Sequence, residues 1–177
     1  MQNRTPRIPQ QPAAHHRAEF DAAFGAALGA VVSGARRRAL RDGDRQIDTA
    51  HLLHSLIESD PEVRSAFDGG PQLARVLGYL VQRSIGYGLR WQGTVEDTGA
   101  VPVVPDAAAD GWSPSAASAM AEACARARSL GRERAEGVDL LAVLADDREC
   151  RAVEVLERAG VDTGSLAGRA GQAAGWC

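Results

Sequence analysis

The second half of the chain repeats the helical pattern of the first half at a constant shift of 88 residues. Leu52 falls on Leu140 (140 − 52 = 88), and Gly43 falls on Gly131 by the same shift. Both halves show a helix, then a glycine, then a second helix that carries a leucine pair. Self-similarity at a fixed period indicates an internal structural repeat. The pattern predicts an all-α fold of eight helices in two four-helix pseudo-repeats.

The composition favours helices and excludes several classes of function. Apolar residues make up 45% of the chain and aromatic residues only 5%, which suits closely packed helices better than a β-sandwich. The formal net charge of −3 provides no basic field for nucleic acid. No apolar run reaches the roughly 18 residues of a membrane span, and the first residues lack the apolar core of a secretion signal. Three cysteines, an odd number without close spacing, favour reduced thiols, so we expect a cytoplasmic protein.

The pattern divides the chain into four segments. Residues 1–17 are rich in Pro, Gln and Arg and predict a disordered arm. Residues 18–85 form the first repeat and residues 112–177 the second. Between them, residues 86–111 contain five glycines and two prolines without helical period, which indicates a linker or functional loop.

Capping residues predict where the helices begin and end. The first helix is predicted from Ala18 to Arg41, with Phe20 and Phe24 on its apolar stripe and a glycine C-cap at Gly43. Asp48 or Thr49 is expected to cap the second helix, Pro61 to start the third and Pro71 the fourth. Ser113 followed by Pro114 predicts the start of the fifth helix. Apolar residues are expected to face inward on the fourth helix: Leu73, Val76, Leu77, Leu80 and Val81.

Two histidines three residues apart, His51 and His54, raise the question of a metal site. Two imidazoles supply only half of a four-ligand site, and the matching positions of the second half are Asp139 and Ala142. We therefore expect no metal at this pair and no cofactor. The chain also lacks a phosphate-binding loop and a nucleophile elbow, and Cys124 lies on an apolar stripe. The sequence predicts that the protein is not an enzyme.

These motifs resemble the duplicated N-terminal domain of the Clp unfoldases, of the ClpA and ClpC type, without the ATPase modules. The first half offers Phe24, Ala39, Gly43 and the stretch "IDTAHLLHSLI", and the second offers "WSPSA", "SLG" and "VLERAGVD". The resemblance covers roughly residues 20–171. In that family the histidine and the leucine pair are structural, which implies that His51 is a packed or capping residue and that His54 is partly exposed.

The resemblance implies a binding module that modulates Clp proteolysis. Its expected partners are Clp unfoldase or protease components, adaptors and substrate proteins, with no nucleic acid and no membrane. Family members of the ClpC type also hold phosphoarginine, through a threonine and a glutamate in each repeat. The matching positions here are Gly25 and Ala50 in the first repeat and Ser113 and Val138 in the second. Because both glutamates are missing, we expect phosphoarginine recognition to be lost.

An alternative function follows from the groove between the first helices of the two repeats, which binds cyclic-peptide antibiotics in relatives. A chain of this kind could sequester a peptide-like small molecule and so protect the Clp machine. Trp112 is either a binding anchor in this groove or a packing residue under the linker, and the sequence leaves both interpretations open. The residues expected to line the groove are Phe24, Val32, Arg36, Trp112, Ala121 and Cys124.

Overall fold

The computed structural model describes residues 22–85, Glu96 and residues 111–175. Within these residues the fold is all-α, with eight helices and no strand. The predicted all-α character and the count of eight helices are thereby confirmed for the described part of the chain. The helices are α1 Ala26–Asp42, α2 Thr49–Ser59, α3 Pro61–Ser65, α4 Gly70–Ser84, α5 Pro114–Ser129, α6 Gly137–Asp146, α7 Arg151–Arg158 and α8 Thr163–Ala174.

Short polar residues fix the helix starts, as the sequence predicted. The Asp48 carboxylate accepts the His51 backbone N–H at 2.9 Å, and His51 Nδ1 accepts the Asp48 backbone N–H at 3.1 Å. This reciprocal pair satisfies two backbone donors at the start of α2. Ser113 Oγ accepts the Ala116 N–H at 3.1 Å at the start of α5. The caps place both helices within one residue of the predicted starts.

Glycines end the first helix of each half. Gly43 follows α1 with a φ of 74°, and Gly131 follows α5 with a φ of 75°. In this left-handed region a side chain is strained, so glycine is the usual residue. The backbone N–H groups of Asp44 and Arg132 then return to the carbonyls of Ala39 and Ala127, both at 2.9 Å. The two turns have the same construction.

Two isolated parallel bridges join the halves of the chain. Phe24 pairs with Ala135, and Ile47 pairs with Trp112. The shift of 88 converts one bridge into the other, since 24 + 88 = 112 and 47 + 88 = 135. Each bridge carries two backbone hydrogen bonds: Gly25 N to Ala135 O at 3.0 Å and Ala135 N to Ala23 O at 2.9 Å in one, and Ile47 N to Gly111 O at 2.7 Å and Ser113 N to Ile47 O at 2.8 Å in the other.

The second helices of the two halves, α2 and α6, form the centre of the core. They pack against each other, and each of α1 and α5 packs on both of them. Helices α7 and α8 complete the cover, with α7 between α2 and α6 and α8 along α6. The largest fully buried side chains are Leu28, Leu52, Leu53, Leu56, Ile57, Leu80, Met120, Leu140, Leu141, Leu144, Leu156 and Leu166.

Three expectations need correction or fall outside the described residues. Helix α1 begins at Ala26, because the chain at Phe24 leaves helical geometry to form its bridge with Ala135. Val81 on α4 is 49% exposed and not inward-facing. The predicted arm at residues 1–17 lies outside the described residues, as does the predicted linker except for Glu96 and Gly111.

Two glycines of α1 provide a test of how closely α1 and α2 pack. A Cβ on Gly34 would overlap the hydroxyl of Ser55, which is held by a 2.8 Å hydrogen bond to Val31 O. A Cβ on Gly29 would meet nothing within 4 Å. We expect Gly34→Ala to lower the free energy of unfolding by about 1–3 kcal/mol through overpacking. Gly29→Ala should raise it by about 0.5–1 kcal/mol through helix propensity.

Urea denaturation of both variants measures these changes. The two substitutions are chemically identical and lie in the same helix, so Gly29→Ala controls for the general effect of replacing a helical glycine. An increase in stability for Gly34→Ala similar to that of Gly29→Ala would contradict the close approach of α1 and α2.

Candidate functional site

A buried carboxylate from the predicted linker lies where three helices begin. Glu96 is 5% exposed. Its Oε2 accepts the Thr49 backbone N–H at 2.8 Å and the Ser113 hydroxyl at 2.9 Å. Its Oε1 accepts the Arg151 backbone N–H at 2.7 Å and the hydroxyl of Thr49. We call Glu96, Thr49, Ser113 and Arg151 the Glu96 cluster.

The Glu96 cluster has the construction of an anion site. Thr49 and Arg151 are the first residues of α2 and α7, and their backbone N–H groups have no acceptor within their own helices. The partial positive charge of a helix start favours a negative group there. Thr49 Oγ1 also accepts the Ala152 N–H at 3.0 Å, which joins the starts of α2 and α7. The site is therefore preorganised for an anion, and the protein's own carboxylate satisfies it.

The corresponding start of α6 also holds a carboxylate. Asp60 is 7% exposed, and its Oδ1 accepts the backbone N–H groups of Glu62 at 2.9 Å and Val63 at 3.3 Å, at the start of α3. Its Oδ2 lies so close to Gly137, the first residue of α6, that a Cβ on Gly137 would overlap it. Both central helices thus begin against a carboxylate that belongs to the chain.

The four positions that match the phosphoarginine residues of the family lie beside these helix starts. Ala50 and Val138, which stand where the family has glutamate, are both fully buried apolar residues. Ser113 is fully buried and donates to Glu96, while Gly25 donates its N–H to Ala135 O. None of the four places a carboxylate that could pair with a guanidinium.

The predicted groove residues divide into a buried group and an accessible group. Phe24, Val32, Trp112 and Cys124 are buried. Arg36 is half-buried and Ala121 is exposed. Trp112 is 5% exposed and pairs with Ile47 through its backbone, so its ring is part of the core in this conformation. Binding in the groove stays a prediction, with Arg36 and Ala121 as the residues that a ligand could reach directly.

A cavity of about 820 Å³ lies elsewhere, between α5, α6 and α8. Four carboxylates and one guanidinium line it, from Glu122, Asp146, Asp147, Glu149 and Arg126. None of the six predicted groove residues contributes to it. Its volume falls in the range of small-molecule sites, but its acidic lining differs from the mostly apolar walls usual in such sites.

Buried charge also surrounds Asp48, the N-cap of α2. Burial alone would raise the pKa of Asp48, but the hydrogen bond and charge of His51 and the guanidinium groups of Arg83 and Arg151 hold it well below its usual range. Arg151 Nη1 lies 2.8 Å from Asp48 Oδ2, and Arg83 is paired to the same oxygen. Asp48 is therefore ionised in the folded protein at neutral pH.

The cysteines within the described residues are poor nucleophiles. Cys124 and Cys150 are both buried. Burial raises the pKa of Cys150 to about 12 and also raises that of Cys124. Since the thiolate is the reactive form, neither residue is activated for catalysis at neutral pH.

His54 is buried, contrary to the expectation of partial exposure. Its Nδ1 lies 3.3 Å from Arg38 Nη1 and its Nε2 3.3 Å from Glu58 Oε1. Burial and the charge of Arg38, opposed by the charge of Glu58, lower the pKa of His54 to about 4. His54 is consequently neutral at pH 7 and packs between α1 and α2.

Sequence reasoning did not single out Glu96, Asp60 or Arg151. The linker contains four acidic residues among its glycines and prolines, and neither periodicity nor spacing distinguishes Glu96 from Asp97. The hydrogen-bond partners of Glu96 are 17 to 55 residues away along the chain. Only the assembled helix starts reveal which carboxylate is required.

The chain matches no family model and no curated protein. The resemblance to the Clp N-terminal domain therefore depends on the motifs quoted above. None of the described helices combines the length and apolar character that crossing a bilayer requires.

The Glu96 cluster should make a measurable contribution to stability. Glu96→Gln keeps the size of the side chain but removes the charge and turns an amide NH₂ toward existing donors. We expect the free energy of unfolding to fall by about 2–3 kcal/mol, because hydrogen bonds to buried charged groups are strong and the donors left unpaired remain buried. Chemical denaturation measures the change. Glu122→Gln, an exposed control, should change it by less than about 0.5 kcal/mol; equal effects of the two variants would contradict the arrangement.

The lowered pKa of His54 predicts a pH dependence of stability. The unfolded chain binds a proton near pH 6.5, whereas the folded chain resists protonation until about pH 4. Stability should therefore be complete above pH 6.5 and decrease as the pH falls toward 4, by at most about 3 kcal/mol from this residue. Urea denaturation at several pH values measures this decrease.

The variant His54→Gln should flatten the decrease between pH 6.5 and 4, because it removes the titrating group. His15→Gln, which changes a histidine of the predicted arm, is the control and should leave the decrease unchanged. A pH profile that is the same for His54→Gln and the wild type would show that His54 titrates normally.

Proposed function

We propose that this protein is a non-catalytic binding module of the Clp N-terminal domain type. It modulates Clp proteolysis by binding Clp components, adaptors or substrates. The observation that carries the proposal is the pair of crossed bridges, Phe24 with Ala135 and Ile47 with Trp112, which the 88-residue shift interconverts. An internally duplicated helical fold is what the motif resemblance implies.

The helix bounds support the duplication. Helices α1 and α2 begin at Ala26 and Thr49, and α5 and α6 begin 88 residues later at Pro114 and Gly137 (26 + 88 = 114; 49 + 88 = 137). The correspondence weakens in the last helix of each half, since α4 begins at Gly70 and α8 at Thr163, a shift of 93 (163 − 70 = 93). The third helices, α3 at Pro61 and α7 at Arg151, are shifted by 90 (151 − 61 = 90), so the first two helices of each half are the stronger part of the resemblance.

The buried cysteines and the absence of sequence motifs for ATP hydrolysis or acyl transfer favour binding over catalysis. The sites that in the family hold phosphoarginine lack their glutamates, and the chain's own carboxylates Glu96 and Asp60 occupy the neighbouring helix starts. An incoming phosphate would meet a negative charge there. With catalysis and phosphate binding disfavoured, we propose that the domain recognises protein partners through its exposed helix surfaces.

The sequestration alternative receives less support from the structure. Four of its six groove residues are buried in this conformation, and the cavity of about 820 Å³ is lined by carboxylates at another place. We therefore favour the protein-binding function, and a ligand titration separates the two.

Affinity capture tests the partner class. The full chain, immobilised and exposed to a lysate of its native host, should enrich Clp unfoldase or protease subunits or their adaptors. Purified partners should then bind in calorimetry. Failure of every purified Clp component to bind at micromolar concentration would contradict the proposal.

Ligand titrations test the two small-molecule predictions. We expect free phosphoarginine to bind at least ten- to a hundredfold more weakly than to a domain with the glutamates, because each missing charge-assisted hydrogen bond contributes about 1.5–3 kcal/mol. Micromolar binding would contradict this. If a cyclic peptide binds the groove, Ala121→Arg should weaken it more than tenfold. The control Ser118→Arg places an arginine on the same helix beside the acidic cavity and should not weaken it; the reverse order would assign the ligand to that cavity.

A further inference from the structure

The buried imidazole of His51 faces two carboxylates near the end of α1. His51 is 1% exposed, and its Nε2 lies 3.1 Å from Asp44 Oδ2 and 3.8 Å from Asp42 Oδ2. Despite these short separations, Nε2 makes no hydrogen bond with any residue that the structure describes. A buried ring nitrogen aimed at two acids without a hydrogen bond suggests that another group is needed between them.

The three atoms have the separations of metal ligands. Zinc binds histidine nitrogen at about 2.0–2.1 Å and carboxylate oxygen at about 2.0–2.2 Å. In a tetrahedral site these bond lengths place neighbouring ligand atoms about 3.4 Å apart. The observed separations of 3.1 and 3.8 Å lie on either side of this value, and all three ligand atoms lie within 4.8 Å of one another. A small cation fits with minor side-chain adjustment.

The surrounding groups hold these ligands in place. His51 Nδ1 lies 2.9 Å from Asp48 Oδ1, the kind of carboxylate partner that commonly orients a metal-binding imidazole. Without a metal, Nδ1 accepts the Asp48 N–H of the helix cap; with a metal on Nε2, Nδ1 carries the proton and donates to Asp48 Oδ1. Ser84 Oγ donates to Asp42 Oδ2 at 2.9 Å, and Arg83 Nη2 to Asp44 Oδ2 at 3.3 Å.

The second half of the chain has an ion pair at the positions that match Asp44 and His51. The positions that match Asp44 and His51 are Arg132 and Asp139 (44 + 88 = 132; 51 + 88 = 139). Arg132 donates two hydrogen bonds to Asp139, at 2.7 and 2.5 Å. A guanidinium of the chain thus faces the third residue of α6. In the first half Asp44 stands at the position of Arg132. The place that holds a guanidinium in the second half therefore holds a carboxylate, which can bind a cation.

The charge balance permits a dication. Asp42, Asp44 and Asp48 bring three negative charges, and Arg83 and Arg151 neutralise two of them. Arg41 also contacts Asp42, at 3.3 Å, but its side chain is 63% exposed and can turn to solvent. Asp44 is about one-third exposed, which gives an ion a path from solvent.

We infer that Asp42, Asp44 and His51 form a binding site for a divalent first-row transition-metal ion, with Zn²⁺ the expected ion. Water completes the coordination on the exposed side of Asp44. Mg²⁺ and Ca²⁺ are disfavoured because they take oxygen ligands, whereas an imidazole suits zinc and its neighbours. The ion ties the end of α1 to the first turn of α2.

The experiment uses the full chain, freed of metal with a chelator and titrated with Zn²⁺ alone. His15→Gln and His16→Gln are present throughout, so that the histidines of the predicted arm do not contribute. We expect one Zn²⁺ per chain and a Tm that rises with zinc. Asp44→Asn, which changes a partly exposed residue, should weaken binding at least tenfold and abolish the rise in Tm. Glu58→Gln, which changes the carboxylate beside His54, is the matched control and should bind as tightly as the parent.

Imidazole ¹⁵N spectra distinguish a metal-bound His51 from a His51 that only caps α2. On saturation with Zn²⁺, the Nε2 resonance of His51 should shift to a metal-bound value, with the proton on Nδ1. Absence of zinc binding, binding unchanged in Asp44→Asn, or an Nε2 of His51 that stays protonated in excess zinc would each overturn the inference and leave His51 as a capping residue.

Discussion

The fold depends on the two crossed bridges that join the start of one half to the middle of the other. Phe24 pairs with Ala135 just before α1 and α6, and Ile47 pairs with Trp112 just before α2 and α5. These four backbone hydrogen bonds fix where four helices begin relative to one another. Because α1 and α5 each pack on both α2 and α6, neither half buries its core alone. The bridges therefore set the register in which the alanine-rich helices approach closely.

The crossed bridges bring helix starts together, and the partial positive charge of these helix starts favours a negative group beside them. Orphan N–H groups of α2 and α7 converge on one point, and those of α3 converge on another that lies against the first residue of α6. Glu96 satisfies the first point and Asp60 lies at the second. The domain thus fills with its own carboxylates the helix starts at which an anionic ligand would otherwise bind. Partner binding through exposed surfaces is compatible with this arrangement, whereas capture of a phosphorylated ligand is opposed by it.

The two halves of the chain differ in the polar residues that meet the central helices. Asp139 at the third position of α6 faces Arg132, an ordinary buried ion pair, whereas His51 at the third position of α2 faces Asp42 and Asp44. Ser113 before α5 carries a hydroxyl, whereas its counterpart Gly25 carries none. Different side chains at matching helix starts give each half of the chain its own local chemistry.

The sequence by itself determined the elements that local interactions control. Ser113, Asp48 and the glycines at 43 and 131 mark helix ends because their caps and turns involve residues only a few positions away. The leucine pairs mark the buried stripes for the same reason. Tertiary structure alone decided that the chain leaves the helix at Phe24, that His54 is buried and that Glu96, rather than a neighbouring acid, enters the core. Each of these depends on partners from distant parts of the chain, whose positions are set only when α2 and α6 pack together and the bridges form.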